Sequence, residues 1–592
     1  WKIKGSYNSN FLVYKQGSSA IATYTPVLRA ATDEAGNVIY SDADAQIPLY
    51  NMLLRKNGDY TPPAYSESHG IGRNWYFETA LNYARRFGKH DVSGLLLYNQ
   101  SKTYYPNGSY SDIPHGYVGL VGRVTYNYNY KYMAEFNMGY NGSENFAPGR
   151  RYGFFPAGSV GYVVSEEKFF KPLKKVVSFM KLRASWGLVG SDWLGSAYRF
   201  YYTADPYNVN QSALFNRTGK DGGAYGYNFG VENGTTKYGA VEASKHNPDV
   251  TWERAFKQDY GIDINFFKDR LTATADLYHE HRKDIFVSDN TVPVYIGFTA
   301  PLANLGVAHS WGWELSLGWN DKIGDNFRYW TKFNLSYNQN EVLEMKETPM
   351  NNDYQYAKGH RIGARSMYKF WRYYYEGAEA DYEKEFGTPF PKQIVNSLKP
   401  GDAVYVDLDK NGYIDQNDMS RDYGYTDDPQ YIAGLNLGFQ YKGLSLSAQF
   451  TAAWNVSRMI SDVFRQPFYR SSSNNDGGLL QYHVDNTWTA ENPSQSAEYP
   501  RATWENASQN YATSTLYEKD AKYLRLKTLQ VAYDFKFPWM HTFGLDQLQL
   551  ALSGYNLFTV TPYKWGDPET RASASPSYPL QRTYTISLKV GF

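Results

Sequence analysis

The feature that most constrains this chain is an alternation of apolar and polar residues sustained for about ten positions at a time. Between 118 and 130, Val118, Leu120, Val124, Tyr126, Tyr128 and Tyr130 share one face, and Arg123, Thr125, Asn127 and Asn129 share the other. After Lys131 the pattern resumes with Tyr132, Ala134, Phe136, Met138 and Tyr140 against Glu135, Asn137 and Gly139. It recurs at Tyr260–Phe266, Leu271–Leu277, Leu444–Phe450 and Tyr584–Phe592. Period two means strands with one buried face. Strands of soluble domains run about 5–6 residues, whereas membrane-spanning strands need about 9–11. These segments are on the long side, and their apolar faces end in Tyr or Phe, as interfacial aromatic girdles require. The opposite face carries Asp, Asn, Gln, Lys and Arg, which a dry sandwich core tolerates only when they are paired. A wide barrel with a wet lumen accommodates both faces.

The connections point the same way. Tight turns are expected around Asn129–Lys131, Lys268–Arg270 and Tyr441–Gly443, and long connections near 189–254, 283–310, 339–429, 456–521 and 557–582. Counted back from Phe592, the tight turns at 441–443 and 537–545 share one side, and the loops 456–521 and 557–582 share the other. Short periplasmic turns opposite long external loops are the asymmetry of outer-membrane barrels. The Ser471–Gly478 cluster reads as a loop tip. The expected fold is all-β: a transmembrane antiparallel β-barrel with roughly 16–18 strands in this chain. The chain opens at Trp1 inside what reads as a strand, so further residues are expected upstream.

Composition removes several function classes. With 60 Lys+Arg against 59 Asp+Glu, a basic surface for nucleic acid is not expected. The absence of Cys excludes disulfides, thiolate zinc, iron–sulfur ligation and a cysteine nucleophile. Mean hydropathy is −0.60. No run approaches the roughly 18 apolar residues of a transmembrane helix, but alternating strands average out as hydrophilic.

Several segments together carry a resemblance. NFAPGRRYGFFPAGSVGYVVSEE (145–167), MKLRASWGLVGSD (180–192), NPDVTWE (247–253) and GIDINFFKDRLTATADLYHEHRKDIF (261–286) are followed by GDAVYVDLDKNGYIDQND (401–418), YLRLKTLQVAYDF (523–535), NLFTVTPYKWGDPE (556–569) and YPLQRTYTISLKVGF (578–592). In this order they resemble the SusC-type branch of TonB-dependent outer-membrane transporters of Bacteroidetes-like bacteria, over about 116–592. The resemblance implies a 22-stranded barrel preceded by a plug and a TonB box, neither of which lies in this chain. Residues 1–592 are therefore expected to be barrel, N-terminally incomplete, with long extracellular loops. The resemblance also makes Phe592 the terminal signal read by barrel-assembly machinery.

The sharpest local motif is Asp407, Asp409, Asn411, Tyr413, Asp415 and Asp418. These fall at positions 1, 3, 5, 7, 9 and 12 of a calcium loop, with Gly412 at the turn position 6 and Ile414 at the apolar anchor 8. Asp418 stands where a longer, bidentate Glu is usual, and no helices flank the loop. The 401–421 segment is thus expected to be an extracellular insertion holding a structural Ca²⁺, the alternative being a plain Asp/Asn/Gly turn. His279-Glu280-His281 lacks the HExxH spacing and a third ligand, and reads as a barrel-rim or lumen position. No nucleophile elbow or phosphate loop is present, so no enzyme is expected. Trp193, Tyr201, Tyr202, Trp371 and Tyr373 are candidate stacking platforms for sugar rings or peptide side chains, against the plainer role of loop packing.

The expected function is active import across the bacterial outer membrane of an oligomer too large for porins, a glycan first and a peptide as the alternative. The resemblance implies a SusD-like surface lipoprotein as lid, energy through TonB, and a dimer of transporter–lid pairs. The rivals are a barrel acting as a structural or protein-binding platform, a passive porin, and a secreted all-β carbohydrate-binding protein or hydrolase.

Overall fold

The computed structural model describes residues 1–20, 24–28, 50–54, 61–104, 114–194, 201–202, 207–209, 227–229, 235–237, 240–242, 246–293, 300–460, 462–467, 469, 479–571 and 580–592; the Ser471–Gly478 tip lies outside them. Sixteen long strands pair in sequence order in one antiparallel sheet. They are β1 (Lys2–Ala20), β2 (Thr61–Phe87), β3 (His90–Tyr104), β4 (His115–Tyr128), β5 (Tyr132–Ser143), β6 (Tyr152–Val163), β7 (Val177–Ser191) and β8 (Glu253–Phe266). There follow β9 (Leu271–Ser288), β10 (Leu302–Ile323), β11 (Phe327–Glu344), β12 (Tyr431–Tyr441), β13 (Leu444–Trp454), β14 (Tyr523–Phe535), β15 (Gln547–Val560) and β16 (Thr583–Gly591).

The chain divides into two compact units. The first, Trp1–Ala80 with Tyr98–Val118, pairs β1 with β2 from Lys2↔Ala80 to Ala20↔Thr61. The second, Leu81–Leu97 with Gly119–Phe592, holds the remainder.

Register in the second unit puts the expected alternation on two chemically distinct faces. Across β7, β8, β9, β10 and β11, Ser185, Asp259, Tyr278, Gly312 and Asn338 are consecutive partners. Directly paired residues share a face and residues two apart stay on it. One face therefore carries Arg183, Asp263, Asp276, Glu280, Glu314 and Asn334, and the other carries Leu182, Tyr260, Ile262, Leu277, Leu315 and Leu335. The polar face continues through Asn436, Ser447 and Gln530, and the apolar one through Leu437, Leu446 and Leu529.

The apolar face has an aromatic belt toward each end. One joins Trp313, Tyr337, Tyr431 and Trp454, the last two stacked with centroids 5.0 Å apart. The other joins Trp319 to Phe267, Phe327 to Phe439, and Phe535 to Phe537 and Trp539. Between them lie aliphatic residues such as Leu315, Leu335, Leu437 and Ala448. Eight residues separate Tyr337 from Tyr329, or about 27 Å along the strand, close to the apolar band of roughly 25 Å in outer-membrane barrels.

The connections alternate in kind. Strand ends meet through 129–131, 267–270, 324–326 and 442–443 on one side of the sheet, and through 192–252, 345–430, 455–522 and 561–582 on the other. The 442–443 turn has φ of 45° at Lys442 and 91° at Gly443. That is the conformation whose twist matches antiparallel strands. A Cβ at Gly443 would also sit 2.7 Å from the Asp534 carbonyl oxygen.

Candidate functional site

The polar face of β7–β10 concentrates charge. Arg183 reaches Asp276 at 2.7 Å, Asp263 at 3.2 Å and Asp259 at 3.5 Å. Toward the long-connection end, Lys257 and Arg282 hold Glu280 at 3.0 Å and 2.9 Å, and Arg282 extends to Glu253 at 3.9 Å. Strand geometry produces this ladder, because alternate residues on neighbouring strands stand within reach of long side chains. Next to it opens a recess of about 740 Å³ whose lining includes Lys257, Asp259, Tyr278, Glu280, Glu314 and Asn338. A second recess of about 430 Å³ includes Glu135, Lys181, Arg183 and Asp259. Such a surface can hold groups of either charge in an oriented row.

The long connections fold on their own cores. Within 345–430, Met367–Tyr368 pairs with Met419–Ser420 and Phe370–Tyr373 with Ala403–Tyr405, around the helix α1 (Ala378–Phe386). Ala403, Tyr405 and Ile414 form a buried cluster with Tyr368, Phe370, Ile394 and Ala512. Val456, Ile460, Tyr499, Tyr517, Tyr563 and Trp565 belong to another, which joins the 455–522 and 561–582 connections. A polar latch fastens the first to the second. Asp402 is fully buried and accepts from Arg501 at 2.6 Å, Asn506 at 2.7 Å and Asn510 at 2.9 Å. Sequence reasoning did not single out this latch; its signal was only a Gly-Asp pair opening the 401–418 motif.

The acidic loop has the compact form its spacing suggests. One carboxylate oxygen each from Asp407, Asp409 and Asp418 lie within 4.8 Å of one another. Gly412 has φ of 87° and its N–H donates to Asp407 at 2.8 Å. The Asn411 N–H donates to Asp407 and Asp409, and Asp418 accepts from the N–H groups of Leu408 and Asp415 at 2.7 Å and 2.9 Å. Asn411 Oδ1 accepts from the Tyr413 N–H, and Asp415 Oδ1 from that of Asn417. Ile414 is buried in the adjoining cluster, as the anchor position requires. Burial, reinforced by the Asp407 and Asp409 carboxylates, pushes Asp418 up to about 6. Burial also raises Asp409. Among the described residues no Lys, Arg or His side chain pairs with any of the three. The cluster is buried, acidic and capable of coordinating a metal ion.

The aromatic candidates separate by exposure. Trp193 is 69% exposed. Trp371 is half-buried, its Nε1 donating to Glu385 at 3.0 Å and its ring edge-on to Tyr382. Tyr202 is half-buried and its hydroxyl accepts from Arg151 at 3.3 Å. Tyr201 and Tyr373 are buried. Tyr201 packs with Phe146, Phe155 and Trp252, and its hydroxyl accepts from the Leu302 N–H. The Tyr373 hydroxyl donates to the Ala497 carbonyl at 2.8 Å. His279 and His281 stand on the apolar face, opposite Trp311 and His309 near its long-connection end.

A long antiparallel sheet with one apolar, belted face defines an outer-membrane β-barrel protein. The family model for the TonB dependent receptor-like β-barrel matches residues 1–451. TonB-dependent receptor P39 of Formosa agariphila is 27% identical over 600 residues, covering 94% of this chain and 54% of that protein. TonB-dependent receptor SusC of Bacteroides thetaiotaomicron is 23% identical over 563 residues, covering 90% and 51%. The chain spans about half the length of the curated relatives it matches. The RagAB peptide importer in its open-open state superposes with a TM-score of 0.71 at 18% identity, covering 100% of this chain and 59% of that one. Its closed-closed state gives 0.69 at 17%.

This chain belongs to the TonB-dependent receptor family, as a barrel domain in the bacterial outer membrane.

Proposed function

We propose that this chain forms the greater part of the wall of a 22-stranded barrel that imports oligopeptides. The observation that carries this reading is the charged ladder on β7–β10, with Arg183 among Asp259, Asp263 and Asp276 and with Glu280 held by Lys257 and Arg282. Groups of both signs in fixed register complement a zwitterionic chain with charged side chains. A neutral glycan, offering hydroxyls and C–H faces, gains little from them. The peptide importer that shares this fold supports the same choice. Import of a glycan is the second reading, favoured by the rings left accessible at Trp193, Tyr202 and Trp371, which suit stacking on sugar faces. Tyr201 and Tyr373 are buried and on either reading pack the interior of the long connections.

In this proposal a SusD-like lipoprotein closes over the long connections, on the extracellular side. TonB, pulling on a plug outside these 592 residues, opens the way through, and two transporter–lid pairs assemble as a dimer. The acidic loop holds Ca²⁺ through Asp407, Asp409, Asn411, Asp415 and Asp418 with the Tyr413 carbonyl, because the donors are all oxygen and numerous. The ion stiffens the 345–430 connection.

Native mass spectrometry of the intact complex, extracted from its own outer membrane, tests this directly. A bound population whose masses step by amino-acid residues supports the peptide reading, and steps of sugar residues support the glycan one. A barrel that purifies without a lid lipoprotein or a plug-bearing segment supports the non-transporting platform instead.

A further inference from the structure

On the turn side of the sheet most connections are minimal, but 164–176 is not. It folds as a short turn, Val164–Glu166, and a 3₁₀ helix, Lys168–Lys175. Its position is fixed by Glu167, which accepts from Lys131 at 2.6 Å, the Tyr132 hydroxyl at 2.7 Å and the Tyr162 hydroxyl at 2.9 Å. Tyr132 and Tyr162 are stacked partners on the apolar face, aligned with Leu182. At its far end the Val176 carbonyl accepts from the N–H of Phe267, a member of the turn-side aromatic belt. The segment therefore lies at the end of the membrane-facing surface, level with that belt.

Its side chains suit that place. Phe170 is buried and anchors the helix, while Phe169, Leu173 and Val176 are 67%, 53% and 51% exposed. Interleaved with them are Lys168, Lys171, Lys174 and Lys175, all exposed. Lys174 pairs with Glu166 at 3.0 Å, and Glu167 is used by Lys131. Among the described residues Lys168, Lys171 and Lys175 pair with no carboxylate. Apolar side chains beside unpaired lysines at the edge of a bilayer make a surface for anionic headgroups, the apolar groups entering the acyl boundary and the ammonium groups meeting phosphate. The other long turn-side connection, 536–546, shares the apolar part of this design, with Phe537, Trp539 and Phe543 exposed.

We propose that the 164–176 turn, through Lys168, Lys171 and Lys175 beside Phe169 and Leu173, is a docking site for anionic phospholipid headgroups in the turn-side leaflet. The chemistry fits lipid better than an acidic protein, because the lysines alternate with apolar side chains that continue the membrane-facing belt.

The test is retention of phosphatidylglycerol by the intact protein, counted by native mass spectrometry from mixed micelles and compared with phosphatidylethanolamine. The parent is expected to retain phosphatidylglycerol selectively. The Lys168→Gln/Lys171→Gln/Lys175→Gln variant is expected to lose that selectivity by about a hundredfold, given the attraction of each lysine to an anionic surface. The triple Arg variant is expected to keep it, as is a control neutralising Lys358, Lys384 and Lys392 on the long-connection side. Heat-modifiable gel migration reports that each variant is folded; should the triple Gln variant not fold, Lys171→Gln alone is expected to give about a fivefold loss. Equal retention by parent and folded Gln variants overturns the proposal, as does equal retention of both lipids by the parent. Displacement of the lipid by inorganic phosphate would mark a free-anion site. Unchanged lipid retention with loss of a cross-link to an acidic periplasmic protein would mark a protein surface. Either result overturns the lipid assignment.

Discussion

Asp407, Asp409 and Asp418 bring three carboxylate oxygens within 4.8 Å with no cationic side chain among them. Like charges this close in a half-dry pocket repel, and neither the backbone N–H groups nor protonation of Asp418 provides a full positive charge. Removing Ca²⁺ with a chelator is therefore expected to lower the melting temperature and to open 345–430 to protease, and added Ca²⁺ to restore both. At a free ion concentration one hundredfold above Kd the stabilisation is about 2.7 kcal/mol. Asp418→Asn is expected to abolish the Ca²⁺-dependent part of the shift, and an unchanged Ca²⁺ response in that variant would remove the assignment. A second residue-scale prediction concerns the latch. Arg501→Met leaves the buried Asp402 charge without its cation and is expected to cost about 3–5 kcal/mol, read as protease sensitivity in 345–430 and 455–522. The acidic loop was legible in the sequence because its donors lie within twelve positions and the pattern is local. The latch and the burial of Tyr201 and Tyr373 were not. Asp402 meets Arg501, Leu302 covers Tyr201, and Ala497 receives Tyr373, each pairing spanning about a hundred residues or more.

At the scale of the strand, alternation decides which substitutions the sheet accepts. Leu437 on β12 stands on the apolar face, opposite Thr331 and Ala448, and its neighbour Asn436 stands on the polar face between Lys332 and Gln449. Leu437→Arg is expected to destabilise the protein in lipid by about 2–4 kcal/mol, while Asn436→Arg stays near zero. Unfolding in urea from lipid vesicles measures both, and equal costs would contradict the assignment of faces. The strands themselves were readable, because period two needs no knowledge of partners. Leu271–Leu277 lies inside β9, and Tyr584–Phe592 overlaps β16 almost entirely. Their full lengths were less visible. β10 runs for 22 residues, with Trp311, Trp313, Leu315, Leu317 and Trp319 on the apolar face and Gly312 and Gly318 on the polar one, where the missing side chains weaken the polar half of the alternation while the pairing continues. At Gly312 the missing side chain leaves room for the Tyr278 ring and the Tyr337 carbonyl. The helix α1 did not follow from an all-β reading. It depends on a local core, in which Tyr382 is fully buried and meets Trp371, Phe386 and Phe390.

Over the whole molecule the consequence of this pattern is direction. Tight turns such as 442–443 and folded connections such as 345–430 fall on opposite sides of an apolar band, and in outer-membrane barrels the long connections face outward. The 592 residues contain no Cys, so single cysteines can report the two sides separately. Lys384→Cys places a thiol on exposed α1, and Lys442→Cys places one at the β12–β13 turn. In intact cells a membrane-impermeant maleimide is expected to label position 384 and spare 442, with both labelled once the outer membrane is permeabilised. Leu277→Cys, on the apolar face, is expected to resist the charged reagent in lipid and to react with an apolar one, because the bilayer excludes charge from that depth. Labelling of 442 but not 384 in intact cells would reverse the orientation and overturn the proposal of a lid over the long connections. Equal labelling of all three in intact cells would contradict membrane insertion of this sheet. The same three thiols test orientation without reference to substrate, so they separate the architecture of the sheet from the proposed import.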